Sequence, residues 1–241
     1  MKLRLMICAA AASTALFATE DANSATYAVM NVTNAYTDTV IAVPWVGLDG
    51  SAITISNLVN TTTLDAGDKL YMYDNGTWYE YTKSGNVWTG AETITQSGSH
   101  SAESQVVQRG SGLILQRAES GAGGTVLLAG RVDSGTITTT IAANGKTLFA
   151  NPTTAAEDIN TKFTGATNGD TISIPLNNGG ADIYTFNGTE WGTNTQVAVE
   201  REFNGVKRTY YKQGWHKCGT IPAGTGAWYE SKASESRTIT W

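Results

Sequence analysis

Histidine, cysteine, proline and charge are all scarce in this chain, and each shortage excludes something. Two histidines, His100 and His216, in 241 residues leave little material for a Ser-His-Asp triad or a multi-histidine metal site. Only 15% of the residues are charged, against about a quarter in ordinary globular chains. A net charge of -5, with no basic cluster longer than Lys207-Arg208, argues against nucleic acid, because phosphate binding needs a basic surface. There is no G-x-S-x-G elbow, no P-loop and no 12-residue calcium loop. No segment approaches the roughly 20 apolar residues of a transmembrane helix. The expectation is a protein without catalytic residue, metal or cofactor, and not an enzyme.

What is plentiful is Thr, Ser, Asn and Gly, with 26 glycines against 4 prolines. These residues suit exposed strands and tight turns. The first residues, "MKLRLMICAAAASTALFA", read as a secretory signal. Lys2 and Arg4 form the positive end, and Leu5 to Phe17 form an apolar stretch too short to span a bilayer. Cleavage is expected after Ala18 or within Ala22 to Ala25, so residues 1–25 are set apart from the fold. A lipid anchor on Cys8 is disfavoured by the bulky Met6 and Ile7 before it. Loss of the leader leaves Cys218 as a lone thiol and rules out an internal disulfide, and burial is the expected state of such a cysteine.

The remainder divides into two tandem copies, 26–135 and 136–241. "TVIAVPWVG" around Pro44 is matched by "KTLFANPTT" around Pro152. "SAITISNLV" is matched by "AAEDINTKF", in which Ile159 and Phe163 are spaced i, i+4 as on a short helical turn. "GDKLYMY" is matched by "GDTISIP", and "NGTWYEY" by "NGTEW". Last come "RGSGLILQR" and "IPAGTGAWYESK", whose G-x-G pairs begin at Gly110 and Gly224. Asn-Gly between alternating runs marks hairpins at Asn75, Asn187 and Asn204. The fold class is mainly β: two tandem copies of a small β-barrel or sandwich unit with short helical turns. The G-x-G pairs read as sites of sharp bending or close backbone approach. A dinucleotide fingerprint would need a third glycine, a following helix and an acidic residue.

"IPAGTGAWYESK" following a "GD…NG-x-W" hairpin and closing on "TITW" resembles a group of uncharacterised secreted or surface β-rich bacterial proteins built on such units. The resemblance spans most of the chain after the leader. It implies a secreted, surface-associated β protein and transfers no catalytic residue.

Asp49, Asp65, Asp68 and Asp74 gather near the first hairpin, and Asp170 repeats Asp68. Paired carboxylates serve glycosidases, but Asp at a strand entry commonly fixes a turn. His100 lies in a Ser-rich loop, and His216 with Cys218 supplies two ligands where zinc needs four. Aromatics are the surplus, with seven Trp and ten Tyr. Trp78, Trp191 and Trp228 are expected in the cores. Tyr71, Tyr73, Tyr79 and Tyr81 on one hairpin are the candidate binding residues, forming an aromatic strand face for sugar rings or another protein.

The leading functional expectation is a secreted structural or adhesive protein, extracellular or on a bacterial cell surface, with the periplasm as the other destination. It would assemble with itself through strand addition at "TYAVMNVTN" or "RTITW". A carbohydrate-binding module for cell-surface polysaccharide is the second reading. A small outer-membrane barrel ending in the aromatic "RTITW" strand is the third.

Overall fold

The structure is a computed structural model. It describes residues 4–10, 13–19, 27–34, 39–43, 46, 51–58, 64–74, 77–93, 99–102, 104–118, 124–131, 135–153, 155–175, 181–203, 206–217 and 219–241.

The first part of the chain forms β1 (Arg4–Ala10), β2 (Ser13–Thr19), β3 (Tyr27–Asn34), β4 (Thr39–Ala42) and the single turn α1 (Ile55–Leu58). It continues with β5 (Lys69–Asp74), β6 (Thr77–Ser84), β7 (Val87–Thr93), β8 (Ser99–His100), β9 (Gly112–Gln116) and β10 (Gly124–Arg131). The second part holds β11 (Thr138–Ile141), β12 (Lys146–Ala150), β13 (Glu157–Asp158), α2 (Ile159–Lys162), β14 (Thr171–Pro175) and β15 (Ala181–Phe186). It ends with β16 (Trp191–Phe203), β17 (Val206–Lys217), β18 (Thr220–Ile221), β19 (Gly226–Glu230) and β20 (Arg237–Thr240).

The molecule is therefore mainly β. Two six-stranded antiparallel sheets dominate, in the orders β4-β9-β5-β6-β7-β8 and β12-β19-β14-β15-β16-β17. A four-stranded sheet runs β1-β2-β3-β10, and β11-β20 and β13-β18 are two-stranded. None of these sheets closes on itself, which corrects the barrel form expected for the units. Among the described residues no helix is long and apolar enough to cross a membrane.

Local chemistry accounts for the elements. Two-residue loops join β5 to β6 across Asp74↔Thr77 and β16 to β17 across Phe203↔Val206. Both loops are the Asn-Gly pairs whose tolerance of positive φ suits the twist of a hairpin, although Asn75 and Asn204 themselves lie outside the described residues. The α2 turn starts at Asp158, whose carboxylate accepts from Thr161 N at 3.1 Å. Ile159 and Phe163 then fall on one face and are both buried.

Each six-stranded sheet has its own core. Ile41, Ile53, Leu70, Tyr81, Leu113 and Leu115 fill the first. Phe149, Phe163, Ile172, Trp191 and Tyr229 fill the second. Burying such side chains stabilises by about 1.5–3 kcal/mol each before chain entropy is counted. Of the tryptophans expected inside, Trp191 is core, with its indole N–H on Phe163 O at 3.2 Å. Trp88 is core as well, whereas Trp78 and Trp228 are only partly buried.

Candidate functional site

The G-x-G segments sit at the junction of the two six-stranded sheets. Ala42 N, at the end of β4, donates to Gly224 O at 3.2 Å. Reciprocally, Ala150 N, at the end of β12, donates to Gly110 O at 2.9 Å. Two isolated bridges repeat the exchange, Ile41↔Thr225 and Ser111↔Phe149. The first glycine of each pair is left-handed, with φ of +82° at Gly110 and +70° at Gly224. The second lies against the opposite sheet. A Cβ on Gly112 would come within 2.8 Å of Leu148 Cγ and 2.9 Å of Phe149 O, and one on Gly226 would collide with Val40. Glycine is required here because a Cβ would run into Leu148 and the Phe149 carbonyl at the one position and into Val40 at the other.

A cleft of about 620 Å³ opens beside this junction, lined by Tyr73, Arg109, Ser111, Thr138, Thr140 and Lys146 among others. Hydroxyls line it because β11 alternates, burying Thr139 and Ile141 while exposing Thr138 and Thr140. No carboxylate is among its described lining residues. Tyr73, which lines the cleft, belongs to an aromatic cluster across the junction: Tyr73–Trp78, Tyr73–Trp228 and Trp78–Trp228 have ring centroids 5.0, 6.0 and 5.6 Å apart. Tilted contacts of this kind hold rings in place.

The four candidate tyrosines do not share a face, which corrects the single aromatic platform. The two-residue loop sets Tyr73 opposite Trp78 and Tyr71 opposite Glu80. Tyr71 and Tyr73 therefore lie on the outer face with Trp78. Tyr79 and Tyr81 lie on the inner face with Leu70 and Met72, and Tyr81 is 0% exposed. Tyr71 donates to Gln116 Oε1 at 3.1 Å, so Tyr73 is the one of the four that reaches the cleft. Burial, with a smaller contribution from Tyr79, pushes the Tyr81 phenol far above its ordinary range.

The carboxylates serve the backbone. Asp68, fully buried, accepts from Asp65 N at 2.8 Å and Ala118 N at 2.7 Å, and pairs with Arg117 at 2.9 Å. Asp170, also fully buried, accepts from Thr167 N at 2.8 Å and Lys232 N at 2.6 Å. It takes Tyr229 Oη at 2.6 Å and Arg237 Nη2 at 2.7 Å as well. Carboxylates so fully engaged, sealed from water, suit turn fixation and not proton transfer. Arg117 and Arg237 are the partners that sequence reasoning missed, since neither lies near its aspartate in the chain. Burial lowers the Arg237 pKa, and Asp170 opposes that shift.

Asp74 ends β5 opposite Thr77, and Asp65 holds Arg117 at 2.9 Å. Asp49 and Cys218 lie outside the described residues. His100 is in β8, and His216 is exposed in β17 opposite Thr193. Among the described residues no three His, Cys, Asp or Glu side chains gather to hold a metal ion. Compared with known proteins, the chain matches no family model, no curated protein and no solved structure.

Proposed function

We propose that this is a secreted structural or adhesive protein of a bacterial surface, made of two copies of one β unit and joined to its neighbours by strand addition. It has no catalytic role. The edge of β3 carries the reading. β3 pairs with β10 on one side and, on the other, with β2, in the register Ser13↔Val32 to Ala18↔Tyr27. β1 and β2 come from the apolar segment expected to be the secretory leader. Its removal leaves β3 with one unpaired edge, along the uncharged "YAVMNVTN". An edge without charge, proline or cover is a template for another strand.

The duplication is supported by the shared order of elements. The outermost strands of each half pair with each other, β3 with β10 and β11 with β20. The helical turn precedes the central hairpin in both halves, and the reciprocal junction joins them in the isologous manner of a two-fold dimer.

Carbohydrate binding stands as the second reading, favoured by the cleft. Its hydroxyls, the Tyr73 ring and the cations Arg109 and Lys146 are suited to a polysaccharide bearing acid groups. The first reading is checked by mass spectrometry of the exported chain and electron microscopy of the same sample. An N-terminus between residues 19 and 26, with regular polymers, supports it. A chain exported with its leader intact, or one that stays dispersed at high concentration, overturns it. The second is checked by titrating acidic polysaccharides into the protein and its Tyr73→Ala variant, with loss of affinity expected in the variant.

A further inference from the structure

The second six-stranded sheet ends in an arm. β15 meets β16 only at Thr185↔Gly192 and Phe186↔Trp191. Beyond those pairs β16 and β17 continue together from Thr193↔His216 to Phe203↔Val206. No other strand pairs with that stretch among the described residues. The result is a two-stranded ribbon about 33 Å long, a form that is marginal in water on its own.

Charge is divided unequally between its two faces. Residues opposite each other in a ladder share a face, and so do residues two apart in one strand. One face sets Glu202 opposite Lys207 and Glu200 opposite Thr209, so opposite charges meet there. The other face sets Arg201 opposite Arg208, with Cβ atoms about 5 Å apart. Both arginines are exposed. Tyr210, two residues on from Arg208 and on the same face, is 50% exposed. Like charges directly opposite destabilise a ladder, and no third strand offsets that cost here. Arg117 and Arg237 are held by aspartates at 2.9 and 2.7 Å. Among the described residues no carboxylate pairs with Arg201 or Arg208.

We infer that this face of the arm binds an acidic polysaccharide, with Arg201 and Arg208 holding an acid group and a sugar ring lying on Tyr210. Two guanidinium forks rooted about 5 Å apart converge on one anion, and each can engage it through paired N–H donors. The bound anion turns a repulsion across the ladder into a bridge that ties its two strands. Tyr210 stands about 7 Å farther along the strand, within reach of the ring that carries the acid group or of the next one. Its flat ring with a polar tip suits stacking on a sugar.

The choice of polysaccharide among anionic polymers rests on the carbohydrate reading of the cleft, where Tyr73 is again grouped with two cations, Arg109 and Lys146. Nucleic acid is disfavoured by the net charge of -5. Two sites of one chemistry on one chain bind a polymer more tightly than either alone.

The test is titration of residues 1–241 with polygalacturonate, read by calorimetry and by amide hydrogen exchange. Dextran, duplex DNA and phosphatidylglycerol vesicles are titrated alongside. The expected result is binding to polygalacturonate, none to dextran, and slowed exchange through residues 200–210 in the complex. Arg201→Gln and Arg208→Gln each weaken binding about tenfold. Lys207→Gln removes the same charge from the reverse face and changes it little. Equal losses in Lys207→Gln and Arg208→Gln mean attraction by net charge alone and overturn the site. Tighter binding to DNA or to the vesicles overturns the choice of ligand. Tyr73→Ala separates the arm from the cleft. If it weakens binding while both arginine variants bind like the native chain, the arm is overturned and the cleft reading stands. If only the arginine variants weaken binding, the arm stands and the cleft reading fails. No binding to polygalacturonate overturns both.

Discussion

Tyr81 lies in the first core with a hydroxyl that has no hydrogen-bond partner among the described residues. Removing an unsatisfied buried hydroxyl relieves its desolvation cost, so Tyr81→Phe is expected to stabilise the protein by about 1 kcal/mol in urea unfolding. The same residue sets an alkaline limit. Its folded pKa is raised by burial, so the folded state keeps a proton that the unfolded chain releases near the ordinary tyrosine value of about 10. That stability is intact below pH 10 and is lost as pH rises toward the folded value. Thermal unfolding followed from pH 8 to 11 should show a shallower alkaline decline in Tyr81→Phe. Asp170 predicts the opposite sign. Asp170→Ala strands Arg237 in a partly buried site and removes four hydrogen bonds, an expected loss of about 3–5 kcal/mol. Asp68→Ala should cost less, because Asp65 still holds Arg117 at 2.9 Å. Both substitutions are checked in the same unfolding assay. At this scale the sequence was partly legible: aspartate after glycine announced a turn, but its arginine partner lies far along the chain and had no local signal.

Among the elements, the hairpins were the most legible part, since Asn-Gly and strict alternation are local facts. The tyrosine face shows where that reading stopped short. Alternation within β5 and within β6 is a local property of the sequence, but the phase between them is set by the loop. A two-residue loop sets Tyr73 opposite Trp78, and so sends Tyr79 and Tyr81 to the core. The G-x-G segments were recognised as places of close approach, yet their partner could not be named, because the junction joins residues from opposite halves of the chain. Glycine substitutions separate the two kinds of site. Gly112→Ala and Gly226→Ala overpack the junction and should each destabilise by about 1–3 kcal/mol. Gly85 has φ +60°, and a Cβ added there would meet nothing within 4 Å. Its substitution by Ala should cost only the left-handed strain of roughly 1 kcal/mol. Equal losses at all three positions, measured by urea unfolding, would contradict the role given to the junction.

For the whole molecule, sheet order was beyond reach of the sequence, as was the difference between an open sheet and a closed barrel, because both depend on non-local pairing. The proposed assembly directs attention to strand edges. In the full chain β1 and β2 cover β3, while loss of a leader uncovers it. Under the proposed function export and assembly are one event: a chain that keeps its first residues would not add strands at β3, and a chain that has lost them would. The most direct measurement is light scattering after size exclusion on residues 1–241 and 26–241, each made without export and held without detergent at the same concentration. The account predicts a discrete species for the longer chain and growth to polymers for the shorter. Equal masses for the two would contradict it.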